Sequence, residues 1–154
     1  MEIQSKLLGN QQVNPETIIT FPRGIPGFED QTRFKLFHQE GTEIVYWLQS
    51  LDNEELTFSV AQPLHFNINY KFILTDEEEK LFDLRSSDDL LILILLHKDK
   101  DNEESSGQPI IKGSIKSPLL INSAKRIGYQ KVLAVIEQSI TLIEKNSEIA
   151  VSEA

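Results

Sequence analysis

The sequence predicts a mainly β protein: a small antiparallel barrel or sandwich in a single domain, with one or two short helices. Short runs of β-branched and aromatic residues alternate with clusters of turn-forming residues, which is the pattern of strands separated by turns. One continuous apolar run has the length of a strand that is buried on both faces. The 154 residues suit one domain with its own core, and the pattern leaves barrel and sandwich both open.

The first half of the chain contains four strand candidates. Thr17–Phe21 is β-branched and apolar, and it ends where a run of prolines and glycines begins. Phe34–Phe37 is a short alternating run. Ile44–Leu51 and Leu56–Ala61 flank a polar turn, so we expect them to pair as an antiparallel hairpin whose inner face lies in the core.

The middle of the chain combines strands with a short helix. Phe66–Leu74 is a strand candidate that follows a proline. Thr75 and Glu78 have the spacing of a capping box, and acidic residues fill the first turn, so we expect a helix at Asp76–Leu81. The apolar run Leu90–Leu96 is predicted to be the central strand.

The last third of the chain is predicted to complete the sheet and then change character. Lys98–Gln108 is polar and charged, so we expect a loop there, and Ile115–Ile121 and Tyr129–Ile136 are the last strand candidates. We therefore divide the chain into a β domain at residues 1–137 and a tail at residues 138–154, which is expected to be helical at first and frayed at its end.

Composition narrows the classes of partner. Twenty-four Asp and Glu against fifteen Lys and Arg give a net charge of −9, which disfavours direct binding to nucleic acid or to an anionic membrane. There are no cysteines, and the N-terminus lacks the basic and apolar regions of a signal peptide. The longest apolar run is too short to cross a bilayer. We expect a cytoplasmic protein that is a monomer when no partner is bound.

No residue pattern points to catalysis, a metal or a cofactor. His38, His65 and His97 are scattered without metal-ligand spacing. The acidic run that begins at Asp99 lacks the glycine and the glutamate of a calcium-binding loop. The chain also lacks nucleophile-elbow, phosphate-loop and dinucleotide-binding motifs, so we expect no enzymatic activity.

The segment Phe21–Glu29, with the sequence FPRGIPGFE, has the most unusual composition in the chain. Two prolines and two glycines fix its backbone path, while Ile25 and Phe28 supply apolar side chains. Turn chemistry favours a rigid turn that plugs one end of the core. The alternative is an ordered, partly apolar loop that presents a binding surface.

This segment and three others together resemble a known family. Ile19–Glu29 resembles the N-terminal signature of the bacterial flagellar assembly factor FliW family, and Trp47–Leu51 and Phe58–Pro63 are similar to its next two strands. Ser117–Asn122 with Arg126–Gln130 is similar to its C-terminal block. The resemblance spans about residues 17–136, and it departs from the family pattern at Ser114, at the neighbours of Gln130 and beyond Glu137.

The resemblance implies a small barrel-like cytoplasmic protein without enzymatic activity or cofactor. FliW-like proteins bind newly made flagellin, and they also bind CsrA, a small basic RNA-binding regulator that represses flagellin translation. The two partners compete, so export of flagellin frees the FliW-like protein to antagonise CsrA. A flagellin-only chaperone is the alternative within the family. A nucleic-acid-binding barrel is the alternative from another class, but Tyr46 and Trp47 have no basic neighbour.

The resemblance and the charge pattern select a set of candidate partner-binding residues. The loop is expected to shape and present apolar contacts, the C-terminal block to form a second functional region, and the acidic residues to attract CsrA. The candidates are Gly24, Ile25, Pro26, Gly27 and Phe28 in the loop, Pro118, Ile121 and Asn122 in the C-terminal block, and the acidic Glu77, Glu78, Asp88 and Asp89.

Overall fold

Eleven strands and one α-helix are present in the described part of the computed structural model, which comprises residues 1–38, 41, 44–70, 73–103, 109–133 and 149–152. Side chains are described for the same residues except 98–103, 109–112 and 149–152. The elements are β1 Glu2–Ser5, β2 Gly9–Gln12, β3 Ile19–Thr20, β4 Arg33–His38, β5 Val45–Ser50, β6 Thr57–Ala61, α1 Asp76–Phe82, β7 Leu90–Glu103, β8 Pro109–Ser114, β9 Leu119–Asn122, β10 Ile127–Gln130 and β11 Ile149–Ser152.

Seven of these strands close into a barrel within the described residues. Their order is β7, β6, β5, β4, β3, β10 and β9, and β9 pairs back with β7. Neighbours around the ring are antiparallel except β3 and β10, which are parallel and pair at Thr20 and Ile127. The prediction of a mainly β antiparallel domain is confirmed, and the closed ring makes the fold a barrel.

β7 continues beyond the barrel. It pairs first with β9, then through Ile94–Leu96 with β6, and over Leu96–Glu103 with β8. β8 pairs in turn with β11 in parallel. The predicted loop at Lys98–Gln108 is therefore wrong for residues 98–103, while 104–108 lie outside the described residues. Backbone hydrogen bonds hold such a ladder together, so a polar sequence does not prevent it.

The barrel interior holds the main core, and β7 separates it from a second cluster. Leu93 belongs to the first cluster, and its neighbour Ile94 packs with Phe66 and Ile68 in the second. β7 is therefore buried on both faces, as its apolar run predicts. The buried members of the main core are Ile19, Phe21, Ile25, Phe34, Leu48, Val60, Leu93, Leu119 and Ile121.

An N-terminal hairpin of β1 and β2 covers the outer face of β5, and the sequence pattern did not predict it. The Ser5 hydroxyl donates to Gln49 Oε1 at 2.7 Å, and the Lys6 backbone N–H donates to the Glu54 carbonyl at 2.8 Å. Gln49 is fully buried beneath the hairpin. The sequence GNQQ of β2 has low strand propensity, so its strand depends on this packing.

Four predicted segments differ from the structure or lie partly outside its described residues. The predicted strand at Phe66–Leu74 is wrong for its described residues, because Pro63–Phe66 forms a 3-10 turn and Asn67 is left-handed with φ 56°; residues 71–72 lie outside the described residues. The strand candidates Ile115–Ile121 and Tyr129–Ile136 have other bounds in the structure. β9 begins only at Leu119, and β10 begins at Ile127 and ends at Gln130, while 134–136 lie outside the described residues. The helix expected in the tail lies outside the described residues, whereas 149–152, expected to be frayed, form β11.

Helix α1 confirms the predicted capping box. The Thr75 hydroxyl accepts from the Glu78 backbone N–H at 3.1 Å, and the Glu78 carboxylate accepts from the Thr75 N–H at 2.9 Å. The helix ends at Asp83, which is left-handed with φ 46°. In the described part of the chain, no helix has the length and apolar character needed to cross a membrane.

Candidate functional site

The signature loop, defined here as Pro22–Glu29, connects β3 to the approach of β4 and is held by its own backbone. The Gly24 N–H donates to the Phe21 carbonyl at 2.8 Å, and the Phe28 N–H donates to the Ile25 carbonyl at 2.6 Å. Two successive turns therefore fix the loop. This order comes from the sequence, since proline and glycine select the turn geometry.

Gly24 is the position where the signature loop most requires a glycine. Its φ is +66°, which disfavours residues with a side chain. A Cβ atom at this position would lie 2.5 Å from the Cα atom of Glu29. Gly27 also has a positive φ, of +91°, but a Cβ atom there would meet nothing within 4 Å. Gly24 therefore allows the two arms of the loop to approach each other closely.

One part of the signature loop is buried in the barrel core, and another part is exposed. Ile25 is buried in the barrel core, which fits the prediction of a rigid turn that closes one end. Phe28 remains 40% exposed and packs edge to face on Phe58, with ring centroids 5.2 Å apart. Pro26 and Gly27 are exposed beside it. The exposed aromatic ring is thus supported from below by the barrel.

Carboxylates border the exposed ring. Glu29 and Asp30 are exposed, and Glu29 Oε1 accepts a hydrogen bond from the Gly27 N–H at 2.9 Å. This backbone hydrogen bond lowers the pKa of Glu29, so its carboxylate is charged at neutral pH. We call the exposed residues Pro26, Gly27, Phe28, Glu29 and Asp30 the loop surface.

The candidate residues of the C-terminal block lie inside the protein. Pro118, Ile121 and Asn122 are buried. The Asn122 Nδ2 group donates to the Phe82 carbonyl at 2.7 Å, and its Oδ1 atom accepts from the backbone N–H groups of Ala124 and Lys125. Asn122 therefore joins the end of α1 to the turn between β9 and β10, and the block shapes the site from within.

The four acidic candidates occupy different environments. Glu77 is exposed and binds Arg23 at 2.5 Å, and Asp88 is exposed. Asp89 is half-buried, and its carbonyl accepts from both the N–H and the hydroxyl of Ser123. In the described part of the chain, neither Asp88 nor Asp89 forms a hydrogen bond with a residue of α1.

Glu78 is buried and forms an internal ion pair, whereas we expected it to be a charge that attracts a partner. Lys131 Nζ lies 2.6 Å from Glu78 Oε1, with both side chains nearly inaccessible to solvent. Burial by itself would raise the pKa of Glu78, but hydrogen bonds from Lys131 and from the Thr75 N–H outweigh it, so the pKa is lowered. This charge is neutralised inside the protein.

Helix α1 brings together the two segments that carry the family resemblance. Glu77 binds Arg23 of the signature loop, and the Arg23 guanidinium lies 6.0 Å from the ring centroid of Tyr129 in β10. Phe82 packs edge to face on the same ring, with centroids 6.0 Å apart. Segments that are far apart in sequence therefore share one surface of the barrel around this helix.

The described residues offer no grouping for a metal. No cluster of three or more His, Asp or Glu side chains with the geometry to hold an ion is found among them. The exposed features of the site are instead an ordered aromatic ring and isolated carboxylates. Such features are suited to contact with another macromolecule.

Fold and site together define a small closed β-barrel with an ordered, partly apolar loop surface at one end. The family model described as "FliW protein" matches residues 2–143. A flagellar assembly factor FliW of Chromobacterium violaceum is 40% identical over 136 residues, covering 85% of this chain and 92% of the relative. One from Azoarcus sp. strain BH72 is 36% identical over 149 residues, covering 94% and 99%. The chain belongs to the FliW family of flagellar assembly factors.

A solved structure shows the same fold. The crystal structure of the flagellar assembly factor FliW superposes with a TM-score of 0.74 at 23% sequence identity, covering 92% of this chain and 94% of the other. The family match begins at residue 2, so it includes the N-terminal hairpin, which lies outside the resemblance seen in the sequence.

Proposed function

We propose that this protein binds flagellin in the cytoplasm and, in exchange, binds and antagonises CsrA, which relieves the repression of flagellin translation. It acts by mutually exclusive protein binding without covalent chemistry. The observation that carries the proposal is membership of the FliW family over residues 2–143. Two relatives that carry the name flagellar assembly factor align along most of their length with this chain.

The charge of the chain supports a basic partner. The net charge of −9 attracts a basic protein and accelerates its encounter, while it repels the phosphates of RNA. CsrA, as a basic regulator, has the complementary charge. The protein would therefore oppose CsrA by binding the regulator rather than its RNA.

The loop surface supports direct contact with a protein partner. Phe28 is an exposed aromatic ring on a backbone that is already ordered, so binding costs little conformational entropy. Aromatic side chains in such positions are frequent centres of protein interfaces. We expect Phe28, flanked by Pro26 and Gly27, to contact a partner, while the buried Ile25 holds the loop in place.

Size-exclusion chromatography tests the proposed exchange. The purified protein is mixed with CsrA of the same organism, and the run is repeated with an excess of flagellin. We expect co-elution with CsrA in the first run and loss of that complex in the second, with flagellin now co-eluting. A protein that binds flagellin but never CsrA would instead be a flagellin-only chaperone, and one that binds neither would contradict the proposal.

A further inference from the structure

In the part of the chain that the structure describes, the end of the barrel opposite the signature loop is open. The signature loop lies where β3 ends. A cavity of about 300 Å³ lies where β3 and β10 begin and where β9 ends, which is the opposite end of these strands. Apolar side chains of the core form its floor, and polar residues form its rim. We call this cavity the open end; its principal lining residues are Ile19, Leu36, Leu91, Ile121, Glu16 and Arg126.

Within the described residues, part of the β4 edge next to the open end has no paired strand. The Arg33 carbonyl accepts from Leu51 on the β5 side, and the Thr32 carbonyl accepts from Phe21 on the β3 side. Because backbone groups alternate in direction along a strand, the N–H and C=O groups of Leu36 and His38 point to the β3 side. β3 pairs with β4 only at Phe34 and Arg33.

The chain before β3 cannot continue that pairing. Residues Pro15–Thr17 form a 3-10 turn, in which the Thr17 N–H donates to the Asn14 carbonyl. Among the described residues, no strand therefore pairs with the outer edge of β4 at Leu36 and His38. An edge of this kind is a template for an added strand.

The charge around the open end is negative. Glu16 lies on the rim, and Asp88 and Asp89 directly precede β7, whose second residue, Leu91, lines the cavity. In the described part of this lining, Arg126 is the opposing basic residue. Lys125 and Arg85 lie near the same end, where both pair with Asp83. The described charges there are four carboxylates, on Glu16, Asp83, Asp88 and Asp89, against three cations, and this slight negative excess favours a basic partner.

We propose that the open end binds an extended, basic segment of a partner protein, which adds as a strand to the edge of β4 and inserts one apolar side chain between Leu36 and Leu91. The inference rests on the proposed function, because CsrA is the basic partner proposed there. It goes further by placing that partner at the end opposite the loop surface and by specifying an extended conformation.

The geometry selects an extended segment over a helix. The free groups of Leu36 and His38 are two residues apart on one edge, which is the spacing that a β-strand satisfies. A helix uses its own backbone groups internally and would leave this edge unpaired. The cavity beside Leu36 then accepts a side chain from the face of the added strand that points inward.

A matched pair of variants at His38 tests the added strand. His38→Pro removes the outward N–H while leaving the bonds between β4 and β5 in place, since proline is tolerated on a strand edge. His38→Ala removes the same imidazole and keeps the N–H. Measured by titration calorimetry with CsrA, we expect His38→Pro to weaken binding about tenfold and His38→Ala by less than about twofold. Equal affinities of the two variants would overturn the proposal.

A second pair of variants, at opposite ends of the barrel, tests where CsrA binds even if His38→Pro fails to fold. Glu16→Lys and Glu54→Lys each raise the net charge by two units, at the open end and in the turn between β5 and β6 respectively. We expect Glu16→Lys to weaken CsrA binding about fivefold and Glu54→Lys less than about twofold. A larger effect of Glu54→Lys would place CsrA at the loop end and refute the inference.

The experiment separates the inference from the function on which it rests. If the wild-type protein does not bind CsrA, the proposed function fails before any variant is compared. If the wild type binds and both pairs of variants bind alike, the function stands and the inference fails. Self-association of the wild-type chain that His38→Pro abolishes, measured by sedimentation without CsrA, would assign the edge to a second copy and overturn the inference as well.

Discussion

Gly24 and Gly27 both have a positive φ but different surroundings, and this difference predicts how strongly a substitution at each position destabilises the protein. Gly24→Ala forces a Cβ atom to 2.5 Å from backbone atoms of Glu29, which cannot move aside without opening the loop. We expect a loss of about 3 kcal/mol in the free energy of unfolding, against about 1 kcal/mol for Gly27→Ala, which has only the backbone conformation to overcome. Urea unfolding of both variants checks this, and equal losses would contradict it.

The buried pair of Glu78 and Lys131 makes stability depend on pH. Because the pKa of Glu78 is lowered in the folded state, its charged form stabilises the protein above the ordinary value of 4.5, and this contribution is lost as the pH falls below it. We expect Glu78→Gln to lower the free energy of unfolding by about 2 kcal/mol at pH 7.

The pH profile distinguishes this ion pair from a packing effect. Unfolding of the wild type and of Glu78→Gln is compared between pH 7 and pH 3. The difference between them is expected to shrink as the pH falls below 4.5, since the carboxyl of the unfolded chain is protonated first and the folded one, with its lowered pKa, only at lower pH. Glu77→Gln serves as the control, because the exposed Glu77 contributes little. A difference that stays constant down to pH 3 would show that the charge of Glu78 is not responsible.

Substitution of Phe28 tests whether the loop surface binds a partner through this side chain. Phe28 is 40% exposed and otherwise packs on Phe58, so Phe28→Ala removes an aromatic surface that a partner can contact together with one supporting contact inside the protein. We expect binding of flagellin to weaken about tenfold while the free energy of unfolding falls by less than about 1.5 kcal/mol. Phe58→Ala, which removes the supporting ring, is the comparison. If Phe28→Ala unfolds the protein, the residue has a structural role instead.

At the scale of elements, α1 depends on local and tertiary contacts together. A helix of seven residues is too short to be stable alone, so its cap and its packing both matter. Thr75→Ala removes the capping hydroxyl, and we expect a loss of about 1 kcal/mol in the free energy of unfolding, with Thr75→Ser close to wild type. Denaturant unfolding measures both. If Ser fails to restore the stability, the methyl group rather than the hydroxyl of Thr75 is responsible.

Elements with a strong local signal were predictable from sequence. The capping box predicted α1, the apolar run predicted β7, and the alternating runs predicted the hairpin of β5 and β6. The elements that differ lack such a signal. β2 is polar and forms against β5, and the far end of β7 is a polar ladder with β8. Their structure comes from tertiary pairing, which overrides local propensity.

The candidate site was predictable only in part, because burial depends on the whole barrel. The sequence indicated that the signature loop is ordered, and Ile25 plugs the core as a rigid turn would. Phe28 is exposed, and binding of a partner there stays a prediction. It could not show that Glu78 pairs with Lys131 or that Asn122 faces α1, since those contacts join distant segments. The open end was missed for the same reason: its lining comes from several separate strands.

At the scale of the whole molecule, the closed barrel provides two ends with different characters. Ile25 closes one end, where Phe28 is exposed, while the other end has a cavity, an excess of carboxylates and, among the described residues, a strand edge without a partner. Helix α1 lies along β9 and β10 and is bonded to the signature loop at Arg23 and to the turn after β9 at Lys125. The two ends of the barrel therefore differ in the contacts that they can offer to a partner.

The measurement that tests the central claim most directly is the release of RNA from CsrA. CsrA is bound to a fluorescently labelled leader RNA of the flagellin messenger, the purified protein is titrated in, and fluorescence anisotropy reports the bound RNA. We predict that the protein lowers the anisotropy to that of free RNA and that excess flagellin restores it. Anisotropy that stays high at saturating protein, or that flagellin does not restore, would contradict antagonism of CsrA by exchange.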